Sequence, residues 1–294
     1  MNKITTHLWF DKEAEEAADF YISAFENAAV TNKATLRNTP SGTAVIINIE
    51  IAGQGFTLIS AGPFFKINPS ISFLVACETK KEVDALWGQL SDKGTALMEL
   101  GEYPFSGRYG WIQDKYGVSW QIMFMGEMDI RQKITPTLMF VGDVCGKAEE
   151  AINSYTSIFR NAKVGDILRY GKDEQPDKEG TVKHAGFTLE GQDFAAMDSA
   201  HAHDFNFNEA VSFIVHCKDQ EEVDYYWTSL SAVPEAEQCG WLKDKFGLSW
   251  QIIPIEMDEL MRTSDEKKLA RITKAFLKMK KLDVEILRRA AKGE

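Results

Sequence analysis

The sequence predicts an α+β protein in which one domain is built twice, and three observations carry the prediction. Residues 110–123 read GWIQDKYGVSWQIM and residues 240–253 read GWLKDKFGLSWQII, a match long enough to mark an internal duplication. Each copy alternates strand-like segments of period two with amphipathic helical segments in a βαβββ order, and that order occurs twice per copy. A chain of 294 residues is also long enough for two ordinary domains. The copies are bounded at 1–128 and 131–256, and residues 257–294 form a tail without a counterpart.

The duplicated stretch reads as a β-hairpin. An apolar run ends at Asp114 or Asp244, Lys-Tyr/Phe-Gly makes a tight turn with glycine in the left-handed position, and a strand resumes. In that strand Ser119, Gln121 and Met123 share one face and Val118, Trp120 and Ile122 the other, so Gln121 and its repeat Gln251 each place an amide among apolar neighbours.

The first copy opens with ITTHLWF, where Ile4, Thr6, Leu8 and Phe10 alternate with Thr5, His7 and Trp9. Asp11 is placed to cap a helix of about four turns carrying Ala14, Ala17, Ala18, Tyr21 and Ile22 on one stripe. Three strands follow over 29–36, 43–51 and 54–60. The second unit starts with SISFLVAC, continues through a helix KKEVDALWGQL that Thr79 can cap, and adds strands near 96–100, 109–113 and 118–124 around a loop GEYPFSGRYG. The second copy retraces this path. It gains about ten residues around DEQPDKEG and loses about as many where the first has GEYPFSGRYG, so both segments are expected in exposed or pocket-rimming loops. From Glu256 the tail reads as helix, capped by Ser264 or Asp265, with Leu269, Ile272, Phe276 and Leu277 as its apolar stripe.

Composition narrows the function. A net charge of -11 and a pI near 5.1 argue against nucleic acid or an anionic membrane as the main partner, since both need basic clusters. No apolar stretch is long enough to span a membrane and MNKITTHLWF lacks the order of a signal peptide, so a cytoplasmic protein is expected. Cys77, Cys145, Cys217 and Cys239 form no C-x-x-C pair and read as reduced thiols. No glycine-rich turn follows a strand in the manner of a nucleotide or methyl-donor site, and no G-x-S-x-G or P-loop is present. His201 and His203 lack a third partner and are read as loop residues.

The paired βαβββ units, the AEEAxxFY helix, the SFxVxC strand with its EVDxxW helix and the CGWLKDKFGLSWQIIP ending together resemble the PhnB-like family. Its members are often filed as 3-demethylubiquinone-9 3-methyltransferase-like, and it belongs to the vicinal oxygen chelate superfamily of glyoxalases and bleomycin-resistance proteins. The resemblance covers nearly the whole chain, tail included. It implies tandem vicinal oxygen chelate domains with curved mixed sheets, helices outside, and a ligand cup that in some members holds a divalent metal. The first-strand ligand of such a site falls on His7 and Thr137, and the last-strand ligand on Gln121 and Gln251. The remaining positions fall near Ser70 and Ala210, and near Leu58 and Met197. One imidazole and two neutral amides make a poor donor set for a divalent metal, so no metal and no cofactor is expected.

The expectation is a small-molecule-binding protein, with a metal-dependent lyase, isomerase or dioxygenase as the alternative; methyl transfer is not expected. Binding is assigned to the first copy, where His7, Trp9 and Gln121 are read as facing one side under a loop bearing Phe105, Arg108 and Tyr109; the second copy retains Gln251. Arg108 as the cation and the aromatic walls suit a small polar or anionic aromatic ligand. The duplication is expected to supply within one monomeric chain the domain pairing that single-domain members obtain by dimerising.

Overall fold

The computed structural model describes residues 2–263 and 265–294. The first copy runs β1 (Ile4–Phe10), α1 (Ala14–Ala24), β2 (Ala28–Thr39), β3 (Gly42–Ile51), β4 (Gln54–Ser60), β5 (Ile71–Cys77), α2 (Lys80–Leu90), β6 (Thr95–Tyr103), β7 (Ser106–Gln113) and β8 (Ser119–Phe124). The second runs β9 (Ile134–Phe140), α3 (Ala148–Ile158), β10 (Lys163–Arg169), β11 (Val182–Leu189), β12 (Gln192–Asp198), β13 (Val211–Cys217), α4 (Gln220–Leu230), β14 (Trp241–Lys243) and β15 (Ser249–Pro254). The tail adds α5 (Ile255–Met261), α6 (Glu266–Phe276) and α7 (Val284–Lys292).

The strands form two mixed sheets, and each sheet draws on both copies. One has the order β14-β15-β13-β1-β4-β3-β2 and the other β10-β11-β12-β9-β5-β8-β7-β6. At the centre of the first, β1 runs antiparallel to β13; at the centre of the second, β5 runs antiparallel to β9. The compact units follow the sheets. Met1–Lys66 with Asn208–Glu294 makes the first, here the His7 unit, and Ile67–Phe207 makes the second, the Gln121 unit. The compact units therefore do not coincide with the expected domains 1–128 and 131–256: each takes one half from either copy.

Local chemistry explains most elements. Alternation along β1 sends Leu8 and Phe10 to a face shared with Ile47, Ile49 and Leu58, all buried, and α1 covers β3 and β4 there with Ala14, Ala17, Ala18 and Tyr21. Thr79 caps α2 as expected, accepting from the Glu82 N–H at 3.1 Å, and Asp219 does the same for α4 at 2.9 Å. Asp11 does not cap α1. That helix spans 11 residues, about three turns, and its Ala14 N–H donates to Ser60 Oγ on β4 at 3.0 Å.

Two further expectations are corrected. The GEYPFSGRYG segment is not a loop: it carries the end of β6 and the start of β7, with Pro104 and Phe105 at the turn. The tail is three helices rather than one continuous helix, and Asp265 caps α6 by accepting from the Lys267 and Lys268 N–H groups. Ser264, the other expected cap, lies outside the described residues. No helix among the described residues is long and apolar enough to cross a membrane.

Candidate functional site

The repeated DK(Y/F)G(V/L)SW motif is a self-contained hydrogen-bonded corner. Asp114 Oδ1 accepts from the Tyr116 and Val118 N–H groups at 2.9 and 3.0 Å, and Oδ2 accepts from Trp120 Nε1 at 2.9 Å. Asp244 repeats the pattern with Phe246, Leu248 and Trp250 at 2.8, 3.1 and 2.9 Å. Gly117 and Gly247 close the turns at φ 88° and 85°. This corner fixes the register of β8 and β15, and with it the direction of the two glutamines.

Both glutamines reach a serine on the neighbouring parallel strand. Gln121 Nε2 donates to Ser72 Oγ at 2.8 Å and Gln251 Nε2 to Ser212 Oγ at 3.0 Å. Ser72 stands opposite Thr137 and Ser212 opposite His7. The fourth-strand neighbours are Ala195 beside Thr137 and Thr57 beside His7. The residues that complete each row are therefore Ser72 and Ser212 rather than Ser70 and Ala210, and Thr57 rather than Leu58, which points to the α1 face. The signal was present in the sequence as the repeated Ser-Phe of SISFLVAC and AVSFIVHC.

His7 and Gln121 do not share a sheet. His7, Trp9 and Gln251 belong to the His7 unit, and Gln121, Tyr109, Phe105 and Arg108 to the Gln121 unit. The residues assigned to one site in the first copy are thus divided between two sheets, because β1 pairs with β13 of the second copy and not with β5 of its own.

In the His7 unit the row is closed. His7 is 3% and Gln251 6% exposed. Trp241 stands edge-on to the His7 imidazole, ring centroids 5.1 Å apart, and Trp9 packs edge-on against Phe65 at 5.1 Å. Burial lowers the His7 pKa to about 3, so the ring is neutral, and its Nδ1 has no protein partner. Around it stand Thr57, Ser212 and Gln251, all neutral. A divalent metal needs several imidazole, thiolate or carboxylate donors; this set offers one, and among the described residues no group of three His, Cys, Asp or Glu is placed to hold a metal. The residues do not fit a metal centre.

In the Gln121 unit the row is open on one side. Gln121, Trp111, Leu74 and Met197 are half-buried, and Thr137 and Met139 lie beneath them. Tyr109 OH donates to Gln121 Oε1 at 2.7 Å, and Trp111 Nε1 to Ser119 Oγ at 2.7 Å. Tyr109, Tyr103 and Phe105 form an aromatic cluster, with Phe105 56% exposed at the hairpin turn. Burial, then the neighbouring Tyr103, raises the Tyr109 pKa, which keeps the phenol protonated as the donor. His184 on β11 was not singled out by any pattern in the sequence. It is exposed, and desolvation lowers its pKa. Arg108 points to the opposite face from Tyr109 and pairs with Asp84 of α2 at 2.6 Å.

The remaining candidates are structural. All four cysteines are free; burial pushes the Cys77 and Cys217 thiols up to about 12 and Cys239 to about 11, away from nucleophilic reactivity. His203 Nε2 lies 2.9 Å from Ser199 Oγ and His201 Nε2 lies 3.7 Å from Asp177 Oδ2, in a segment without regular structure.

Comparison with known proteins agrees with this layout. The family model described as 3-demethylubiquinone-9 3-methyltransferase matches twice, over residues 2–123 and 132–253. A PhnB protein from Bacillus cereus is 39% identical over 42% of this chain and 99% of its own, with a TM-score of 0.40. A protein from Staphylococcus aureus is 30% identical over 42% of this chain and 97% of its own, with a TM-score of 0.18. Glyoxalase I from Zea mays covers 90% of this chain and 98% of its own at 11% identity and a TM-score of 0.55, a likeness of fold. No protein of curated function matches the chain. With both repeats matched and a fold like that of glyoxalase I in place, the chain belongs to the PhnB-like, 3-demethylubiquinone-9 3-methyltransferase family, as a tandem member.

Proposed function

We propose that the Gln121 unit is a binding cup for a small, neutral, aromatic molecule, held without a catalytic metal. The observation that carries this reading is the hydrogen-bonded row Tyr109–Gln121–Ser72 on a half-open face. Tyr109 and Ser72 take one lone pair of Gln121 Oε1 and one N–H of Nε2. They hold the amide in one orientation and leave its second lone pair and second N–H for a ligand. A planar group with adjacent donor and acceptor, such as a carboxamide or lactam, matches that pair, while Trp111, Leu74, Met139 and Met197 supply apolar walls. An anionic ligand is not favoured, because Arg108 is engaged by Asp84. Methyl transfer is not part of the reading: the sheets are mixed, without the parallel doubly wound order that accompanies a dinucleotide-type cofactor site.

A thermal-shift and tryptophan-fluorescence screen of neutral aromatic amides against aromatic carboxylates tests it. Neutral amides are expected to raise Tm and change emission in the wild type and in Gln251→Ala, and to lose the effect in Gln121→Ala. A response that survives Gln121→Ala would place binding away from this row, and one that requires added divalent metal and vanishes in His7→Ala would instead favour a metal-dependent lyase, isomerase or dioxygenase.

A further inference from the structure

The tail has no counterpart in the first copy, yet it fills one of the two cups. Ile272 and Phe276 of α6, Leu287 of α7 and Leu282 between them form one buried cluster with Ile214 and Ile253, and Trp9, Ile46 and Ile59 pack against it. By strand alternation these sheet residues lie on the His7 face. At the matching places of the Gln121 unit stand Leu74, Met123, Met139, His184 and Met197, of which only Met139 is buried.

The tail also replaces a missing strand. In the Gln121 unit β6 flanks β7, with Gly101 opposite Tyr109. The second copy lacks that hairpin, and the Cys239 and Gly240 N–H groups donate to the Met279 and Lys280 carbonyls at 2.8 and 2.7 Å instead. The segment that stands in for the lost rim is the one that carries Leu282 into the cluster.

Closure has a built-in opposition. Burying four large apolar side chains favours it. Against this, in the closed arrangement His7 Nδ1 and Asn48 Oδ1 on the sheet, and Thr273 Oγ1 on α6, are buried without a protein partner. His7 and Asn48 flank Thr57 in one cross-strand row, so the sheet side of this opposition is concentrated in one place. The penalty for each such atom is comparable with the gain from one of the apolar side chains.

We propose that the C-terminal tail is a displaceable plug, an autoinhibitory occupant of the His7 cup that opens as a unit while the sheet beneath it stays folded. Opening uncovers a second cup walled by Trp9, Ile46, Ile59 and Ile214, with His7, Asn48 and Gln251 as its polar groups.

Hydrogen exchange on the full chain, with a fluorescent hydrophobic dye (8-anilinonaphthalene-1-sulfonate) as the probe of cup access, tests this without any physiological ligand. In the wild type the amides of α6 and α7 are expected to exchange at least about tenfold faster than those of β1 and β13. Phe276→Ala is expected to speed tail exchange about tenfold more, leave β1 and β13 unchanged and add one dye site per chain. Thr273→Val removes an unpartnered hydroxyl and is expected to slow tail exchange. The proposal is overturned if tail and β1 exchange at one common rate in the wild type and in Thr273→Val, which would make the tail part of the global core even were Phe276→Ala unfolded. It is equally overturned if Thr273→Val speeds the tail.

Discussion

At the scale of the residue, His7 gives the sharpest prediction because its two states differ in proton affinity. In the folded chain burial holds its pKa at about 3, against an ordinary value of 6.5. The unfolded state therefore binds a proton that the folded state refuses across that window. Stability contributed by the neutral buried ring is complete above about pH 6.5 and declines as pH falls, by up to about 1.4 kcal/mol per pH unit, until pH approaches 3. His7→Leu removes this dependence. The difference in unfolding free energy between wild type and His7→Leu is expected to move against the wild type from pH 6.5 to 4, measured by denaturant titration; parallel profiles would show that the ring is not desolvated. Alternation in ITTHLWF already placed His7 on the face opposite Leu8. What the sequence did not disclose is its burial beside Trp241, more than two hundred residues away in the chain.

At the scale of the element, the Asp114 and Asp244 corners are the most order-producing features of the duplication, and their worth can be measured. Each aspartate is buried and satisfies two backbone N–H groups and an indole N–H. Asp114→Ala leaves three donors without their acceptor and is expected to cost about 3 kcal/mol or more. Asp114→Asn keeps an oxygen for the backbone but turns an NH2 toward Trp120 Nε1, and is expected to cost about half as much. Chemical denaturation of the two variants checks the order; equal losses would mean that charge, not donor count, matters at the corner. The elements most legible in the sequence were those fixed by such local chemistry: α2 between its Thr79 cap and Leu90, and the glycine turns of the hairpins. Those misread were settled by partners distant in sequence. The β6–β7 hairpin exists because β7 pairs with β8, which lends GEYPFSGRYG a ladder that its Gly and Pro content disguised. Likewise α1 begins after Glu13 because Ser60, on another strand, accepts from its first N–H.

At the scale of the whole molecule, the duplication and the folding units divide the chain differently, and this was beyond the reach of the sequence because the two copies are alike enough for either pairing. β1 could meet β5 of its own copy or β13 of the other, and the apolar faces of the two partners, ISFLVAC and VSFIVHC, are nearly interchangeable. The observed choice is β1 with β13 and β5 with β9, so neither copy contains a complete sheet. A chain cut within residues 125–133, between β8 and β9, severs the repeats without breaking any strand. Expressed together, residues 1–128 and 131–294 are expected to associate as a one-to-one complex. Expressed apart, each is left with half of two sheets and exposes the edges and apolar faces its partner would cover, so it is expected to self-associate or aggregate. The uncut chain is expected to be monomeric, since both sheets are completed internally. Size-exclusion chromatography with light scattering on the three samples distinguishes these outcomes. Two fragments that are each folded and monomeric would show that the strands can pair within a copy, and would return the repeats to the status of independent domains.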